Sequence, residues 1–185
     1  MLDDFELKQK VTLYRDFPKK GYHMRDLSGL LDDPKALQLI TDTLVHRYLD
    51  AGLTRLVALK GRGTMFAAIL AYRLNLPLVV IRDLGEEPGE VLFERAPSAG
   101  GERTLEMRVG AVQAKDRVLL FDDILSSGAT LLAAASLVRR QEGEIYEVAT
   151  LIDLPDQGGS ERLQEIDVST YALMAFAEPE LAHGQ

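Results

Sequence analysis

The chain has 185 residues, 46% hydrophobic and 27% charged, which suits a single domain with its own core. Its formal charge of −8 argues against a dedicated nucleic-acid binder, which needs a basic footprint. The absence of cysteine excludes disulfides, thiolate metal sites and cysteine nucleophiles. The acidic opening Met1–Glu6 predicts no signal peptide, and no apolar run approaches the roughly eighteen residues of a membrane span. The expectation is a cytoplasmic protein without a membrane partner. A polyphosphate ligand would have to be held by local devices, such as helix N-termini, a few arginines or a metal ion.

In chain order, residues 34–51 carry Leu37, Ile40, Leu44, Val45 and Tyr48 at helical spacing, opened by Pro34 and closed by Gly52. Arg55–Leu59 reads as a short apolar strand running into Lys60-Gly61-Arg62-Gly63. A helix from Met65 to Leu74 and a strand at Leu78–Ile81 follow. Strand-like stretches at 90–95 and 104–109 flank Pro97–Gly101 and predict a hairpin within a flexible flap, residues 83–108. Arg117–Phe121 is a buried strand by composition, Leu131–Arg140 a helix stopped by Gly143, and Ile145–Ile152 and Val168–Leu173 are further strands. Residues 178–185 read as a frayed tail.

Strands alternating with helices imply parallel pairing, hence one α/β domain over residues 1–185, three layers with a central mainly parallel sheet flanked by helices. Ligands of such sheets bind at the C-terminal strand ends, which both glycine-bearing turns, 60–63 and 126–130, leave. The three histidines, His23, His46 and His183, share no metal-ligand spacing, and no P-loop motif is present.

The chemistry concentrates in Val118-Leu119-Leu120-Phe121-Asp122-Asp123-Ile124-Leu125-Ser126-Ser127-Gly128-Ala129-Thr130. Adjacent strand residues face opposite ways, so both aspartates meet one ligand only where the strand ends and the chain turns. Carboxylates there can accept hydrogen bonds from vicinal hydroxyls, as on a ribose. The Ser-Ser-Gly-Ala-Thr turn offers amides, hydroxyls and a helix dipole to a phosphate monoester. The bland alternative is a polar turn with a capping hydroxyl. It leaves unexplained two like charges directly after a buried strand.

This stretch resembles the signature by which type I phosphoribosyltransferases bind 5-phosphoribosyl-1-pyrophosphate (PRPP). The resemblance runs from about Phe17 to Leu173 and is closest to the adenine-using branch. Asp16–Gly21 with Arg25-Asp26-Leu27, then Arg62-Gly63, Pro88-Gly89, Thr104-Leu105-Glu106 and Leu154–Gly159 fall in that branch's order. It implies a type I phosphoribosyltransferase fold with a small N-terminal hood (residues 1–33), a homodimer, Mg²⁺ as cofactor, and transfer of phosphoribose from PRPP to a purine. Asp122 and Asp123 would hold the ribose hydroxyls and, through them and water, the metal. Ser126, Ser127, Gly128, Ala129 and Thr130 would hold the 5-phosphate. Lys60, Gly61, Arg62 and Arg82 would lie on the pyrophosphate side, and Tyr22, Met24 and Arg25 near the purine.

Three departures from the family stand out. Lys60 and Thr64 replace an acid and an aromatic, as in the hypoxanthine-guanine enzymes for Lys60. The loop after Arg82 carries Asp83, Glu86, Glu87, Glu90 and Glu94 where the family has bases. The flap lacks a tyrosine-rich stretch, leaving Glu94, Glu102 or Glu106 as proton-transfer candidates. Two alternatives remain open on these grounds: transfer to a 6-oxopurine, and a PRPP- or nucleotide-binding regulator without catalysis.

Overall fold

A computed structural model describes residues 4–98 and 101–177. The tail at 178–185, with His183, and Ala99-Gly100 of the flap lie outside the described residues. The chain divides into two compact units between Leu49 and Asp50.

In the first unit, helix α1 (Asp4–Gln9) precedes a hairpin of β1 (Thr12–Arg15) and β2 (His23–Asp26), antiparallel with Tyr14 opposite Met24. Helix α2 (Ser28–Leu31) and helix α3 (Pro34–Tyr48) complete it. Asp33 caps α3, its side chain accepting from the amides of Lys35 and Ala36, and Pro34 fits the first turn, which needs no amide. The buried face is Ala36, Ile40, Thr41, Leu44 and Tyr48, the predicted stripe, but the helix stops at Tyr48, three residues before Ala51.

The second unit is a seven-stranded sheet. Its strands are β3 (Arg55–Leu59), β4 (Leu78–Asp83), β5 (Val91–Ser98), β6 (Gly101–Arg108), β7 (Arg117–Leu125), β8 (Glu144–Asp153) and β9 (Thr170–Ala175), in the order β5-β6-β4-β3-β7-β8-β9. Five pair in parallel, from β4 through β9, and the β5–β6 hairpin adds an antiparallel edge on β4. The predicted mainly parallel sheet and the flap hairpin are both present. Alternation along the strands makes both faces apolar. Val57, Leu59, Val118, Leu120 and Val148 join Leu131, Ala134, Leu137 and Val138 of helix α5 (Ala129–Arg140) in one buried cluster. Leu163 of helix α6 (Gly159–Gln164) belongs to it too. Leu56, Ala58, Leu119 and Phe121 are equally buried on the other side, where helix α4 (Gly63–Leu74) buries Phe66, Ala67 and Leu70.

The strand carrying the aspartates is longer than composition suggests. It continues past Phe121 to Leu125 because β8 keeps pairing with it, Asp122 opposite Thr150 and Leu125 opposite Asp153. Two charged side chains do not end a strand whose backbone is still satisfied by a neighbour. Among the described residues, no helix is long and apolar enough to cross a membrane.

Candidate active site

Strands β3 and β7 are neighbours, Ala58 opposite Phe121, but the chain leaves them in opposite directions, through α4 to β4 and through α5 to β8. The crevice beyond their C-terminal ends is therefore the sheet's switch point, where the crossovers part and leave room for a ligand. Both predicted turns open there.

Gly63 is where the two turns touch. A Cβ on it would stand 2.7 Å from the Asp123 amide nitrogen and 3.1 Å from the Asp122 carbonyl carbon, so a larger residue would force them apart. Next to it, Arg62 sets Nε 3.0 Å from Asp123 Oδ2. Asp122 Oδ1 accepts the Asp123 amide at 2.9 Å. Burial first, and then the neighbouring Asp123 charge, push the Asp122 carboxyl well above the ordinary carboxylate range, while the charge of Arg103 works the other way. The 60–63 turn is braced by Thr64, whose hydroxyl accepts the Gly61 amide at 3.2 Å and donates to the Leu59 carbonyl at 3.0 Å. A threonine there fixes the turn where the family uses an aromatic.

Past Leu125, Ser126 and Ser127 lead to Gly128, which adopts φ +76° as it opens α5. The N-cap Gly128 has no side chain to cap the helix, the Ser127 hydroxyl accepts the Ala129 amide at 3.5 Å, and the positive end of the dipole faces the turn. Ala129 and Thr130 form its first residues. The turn is held from behind by a segment that sequence reasoning treated only as a point of resemblance. A Cβ on Gly159 would stand 2.2 Å from the Ser126 carbonyl oxygen, and Arg162 Nη1 donates to the Ser127 carbonyl at 2.6 Å. Below it, Leu154 donates its amide to the Leu125 carbonyl at 2.9 Å, and Ser160 Oγ donates to Asp153 Oδ2 at 3.2 Å. The only signal in the sequence was Gly158-Gly159 directly after a strand and a proline turn.

The acidic loop does not point away. Lys60 pairs with Glu86 and lies 4.0 Å from Asp83, Arg82 Nε is 2.9 Å from Glu87 Oε2, and Arg103 Nε donates to Asp83 Oδ1 at 2.5 Å. Lys60, Arg82 and Arg103 are thus each paired with a loop carboxylate, while Arg62 pairs with Asp123 instead. Lys60, expected on the pyrophosphate side, is part of this cluster. Glu106 organises the loop. It is 2% exposed and accepts the Glu86 and Glu87 amides at 2.7 and 2.6 Å. The Gly85, Glu87 and Glu86 amides hold its carboxylate below the usual range. Of the other proton-transfer candidates, Glu94 accepts from Ser136 Oγ and Arg140 Nη1 on α5, both at 2.9 Å, and Glu102 lies 3.5 Å from Arg95 on the hairpin.

Tyr22, Met24 and Arg25 belong to the first unit. Met24 and Arg25 are half-buried on β2, and Lys19 Nζ sits 4.6 Å above the Tyr22 ring.

The family model "Phosphoribosyl transferase domain" matches residues 26–175. An adenine phosphoribosyltransferase of Stutzerimonas stutzeri is 44% identical over 177 residues, 96% of this chain and 97% of its own. Among solved structures, the adenine phosphoribosyltransferase of Rhodothermus marinus superposes with a TM-score of 0.86 at 31% identity, covering 92% of this chain and 96% of that one. The APRTase of Giardia lamblia, complexed with 9-deazaadenine, gives 0.91 at 26% identity, covering 95% and 99%. The chain belongs to the phosphoribosyl transferase domain family.

Proposed function

We propose that the protein is an adenine phosphoribosyltransferase, converting adenine and PRPP to AMP and pyrophosphate. The observation that carries this reading is the pair Asp122–Asp123 at the switch point, followed by the Ser126–Gly128 turn into the N-terminus of α5. The names of the Stutzerimonas and Rhodothermus relatives, and the adenine analogue bound to the Giardia one, point to the base.

In this reading Asp123, oriented by Arg62, accepts a ribose hydroxyl, and Asp122 takes the other. The amides and hydroxyls of Ser126 to Thr130 surround the 5-phosphate, and Lys60, Gly61, Arg62 and Arg82 receive the pyrophosphate. These groups hold the sugar and leaving group in line, so the protein contributes position and electrostatics rather than a covalent intermediate. Tyr22, Met24 and Arg25 are the residues assigned to the purine.

The residues fit Mg²⁺ as an ion shared with the substrate. Among the described residues no group of three or more His, Asp or Glu side chains could hold a metal. Asp122 and Asp123 nevertheless offer the hard oxygen donors such an ion prefers, and substrate oxygens would complete its shell. Bound Mg²⁺ supplies neutralisation of the charge that develops on departing pyrophosphate.

The same reading makes the enzyme a cytoplasmic homodimer. Support for the dimer comes from α4, where Met65, Ala68 and Tyr72 share one face and Tyr72 is 85% exposed, an apolar stripe suited to a second copy. A second reading, a PRPP-binding regulator, is favoured by the pairs Lys60–Glu86 and Arg82–Glu87, which already neutralise two cations of the pyrophosphate side. Chromatography of a mixture of protein, PRPP, Mg²⁺ and adenine decides between them: AMP formation supports the enzyme, and PRPP binding without AMP supports the regulator.

A further inference from the structure

We infer that Arg103, on the flap strand β6, is a pyrophosphate-binding residue that supplies from the flap the cation missing from the 83–94 loop. The inference rests on the PRPP reading of the site and adds a residue to it.

Two contacts place the guanidinium. Its Nη2 donates to the Lys60 carbonyl at 3.5 Å, so it sits over the residue that opens the 60–63 turn. Its Nε donates to Asp83 Oδ1 at the C-terminal end of β4, and Asp83 pairs with Leu105 in the β4–β6 register. Arg103 thus stands between the ends of β3 and β4, on the side where Lys60 and Arg82 lie. The sequence between 83 and 94 contains no Lys or Arg, so a base from another strand is the group available to complete that side.

The chemistry suits the ligand. A guanidinium is planar, permanently charged and able to bind phosphate oxygens through two parallel N–H groups. Asp83 pairs with it, as Glu86 pairs with Lys60 and Glu87 with Arg82. Pyrophosphate must displace these carboxylates, so the loop acts as a competing anion that weakens PRPP binding and eases pyrophosphate release. Arg103 could instead be only a latch tying the flap to β4. The two roles make opposite predictions for Asp83.

The test is titration of the full-length protein with PRPP and Mg²⁺, with pyrophosphate and Mg²⁺, and with AMP, for wild type, Arg103→Ala, Arg103→Lys and Asp83→Asn. Arg103→Ala should lose about 10- to 100-fold in affinity for PRPP and for pyrophosphate, the scale of one charge-assisted phosphate contact. Affinity for AMP, which lacks the pyrophosphate group, should be unchanged, and Arg103→Lys should recover part of the loss. Asp83→Asn should tighten PRPP binding. Equal loss of AMP and PRPP affinity in Arg103→Ala, or weaker PRPP binding in Asp83→Asn, would mark a latch and overturn the inference. Unchanged PRPP affinity in Arg103→Ala, with a wild type that binds PRPP, would overturn it while leaving the site reading intact. A wild type that binds no PRPP would overturn both.

Discussion

Arg62 Nε lies 3.0 Å from Asp123 Oδ2, an ion pair joining the turn after β3 to the end of β7. These residues are 61 positions apart, and it is the parallel β3–β7 pairing that brings them together. The contact orients the carboxylate assigned to the ribose. Asp123→Ala should therefore reduce kcat/KM by at least about 100-fold, the scale of a misplaced reacting group, with the melting temperature little changed. Arg62→Ala should act in the same direction and raise KM for PRPP, since Arg62 is also assigned to the pyrophosphate in the proposed reading. Steady-state kinetics with PRPP varied checks both.

Asp122 sets stability against function. Burial and the adjacent Asp123 charge raise its pKa in the folded state, so the native protein holds this proton more tightly than the unfolded chain, whose aspartate titrates near ~3.9. Stability from this group is fully present below that value and is lost as pH rises through the folded pKa. Asp122→Asn, which cannot ionise, should raise the melting temperature of the metal-free protein at neutral pH and abolish turnover. The gain should shrink as pH falls toward 4 (roughly the unfolded value). Thermal melts of both proteins across pH 4–8 (about the range spanned by the carboxylate and histidine titrations) would show it; a uniform destabilisation would contradict it.

Much of this was legible in the sequence, and the reasons are specific. The run Val118–Thr130 places a buried strand, two carboxylates and a turn in consecutive residues, so sequence alone carries that arrangement. The strand's extension to Leu125 was hidden because it depends on the partner strand β8 rather than on residue type. The α4 start at Gly63 and the α5 start at Ala129 each fall two residues before the apolar pattern that announced them, since first-turn residues need not be apolar. The β1–β2 hairpin went unread because its strands are four residues each, with no buried position and no alternation. The pairing of Lys60, Arg82 and Arg103 with the acidic loop is tertiary, set by β4–β6 register, and no local pattern encodes it.

Gly159 and Gly128 control the phosphate turn by contact. A Cβ on Gly159 would overlap the Ser126 carbonyl oxygen and approach Leu125 Cδ1 at 2.7 Å. Gly159→Ala should cost about 1–3 kcal/mol of stability, as overpacking in tight sites does. It should also raise KM for PRPP, by moving the turn assigned to the 5-phosphate. Denaturant unfolding together with PRPP kinetics tests this; a neutral substitution would show that α6 does not support the turn.

Glu106 shapes the acidic loop through two amides. Glu106→Ala removes the acceptor of the Glu87 amide, while the Glu86 amide keeps the Asp83 carbonyl at 3.2 Å, and should destabilise the protein by about 1–3 kcal/mol. Because backbone amides lower the folded-state pKa of Glu106, its contribution is present above the unfolded glutamate value and is lost as pH falls through the folded one. The penalty of Glu106→Ala should therefore be full at pH 7 and smaller near pH 3 (about or below the free glutamate value). Urea denaturation at both pH values measures it.

The most direct test of the central claim is pyrophosphate release by the purified protein with PRPP and Mg²⁺, offered adenine, hypoxanthine, guanine and xanthine one at a time. Release with adenine, and none with the 6-oxopurines, lost in Asp123→Ala, is the predicted result. Release with a 6-oxopurine in place of adenine would contradict the base assignment, and no release with any base would contradict the enzyme.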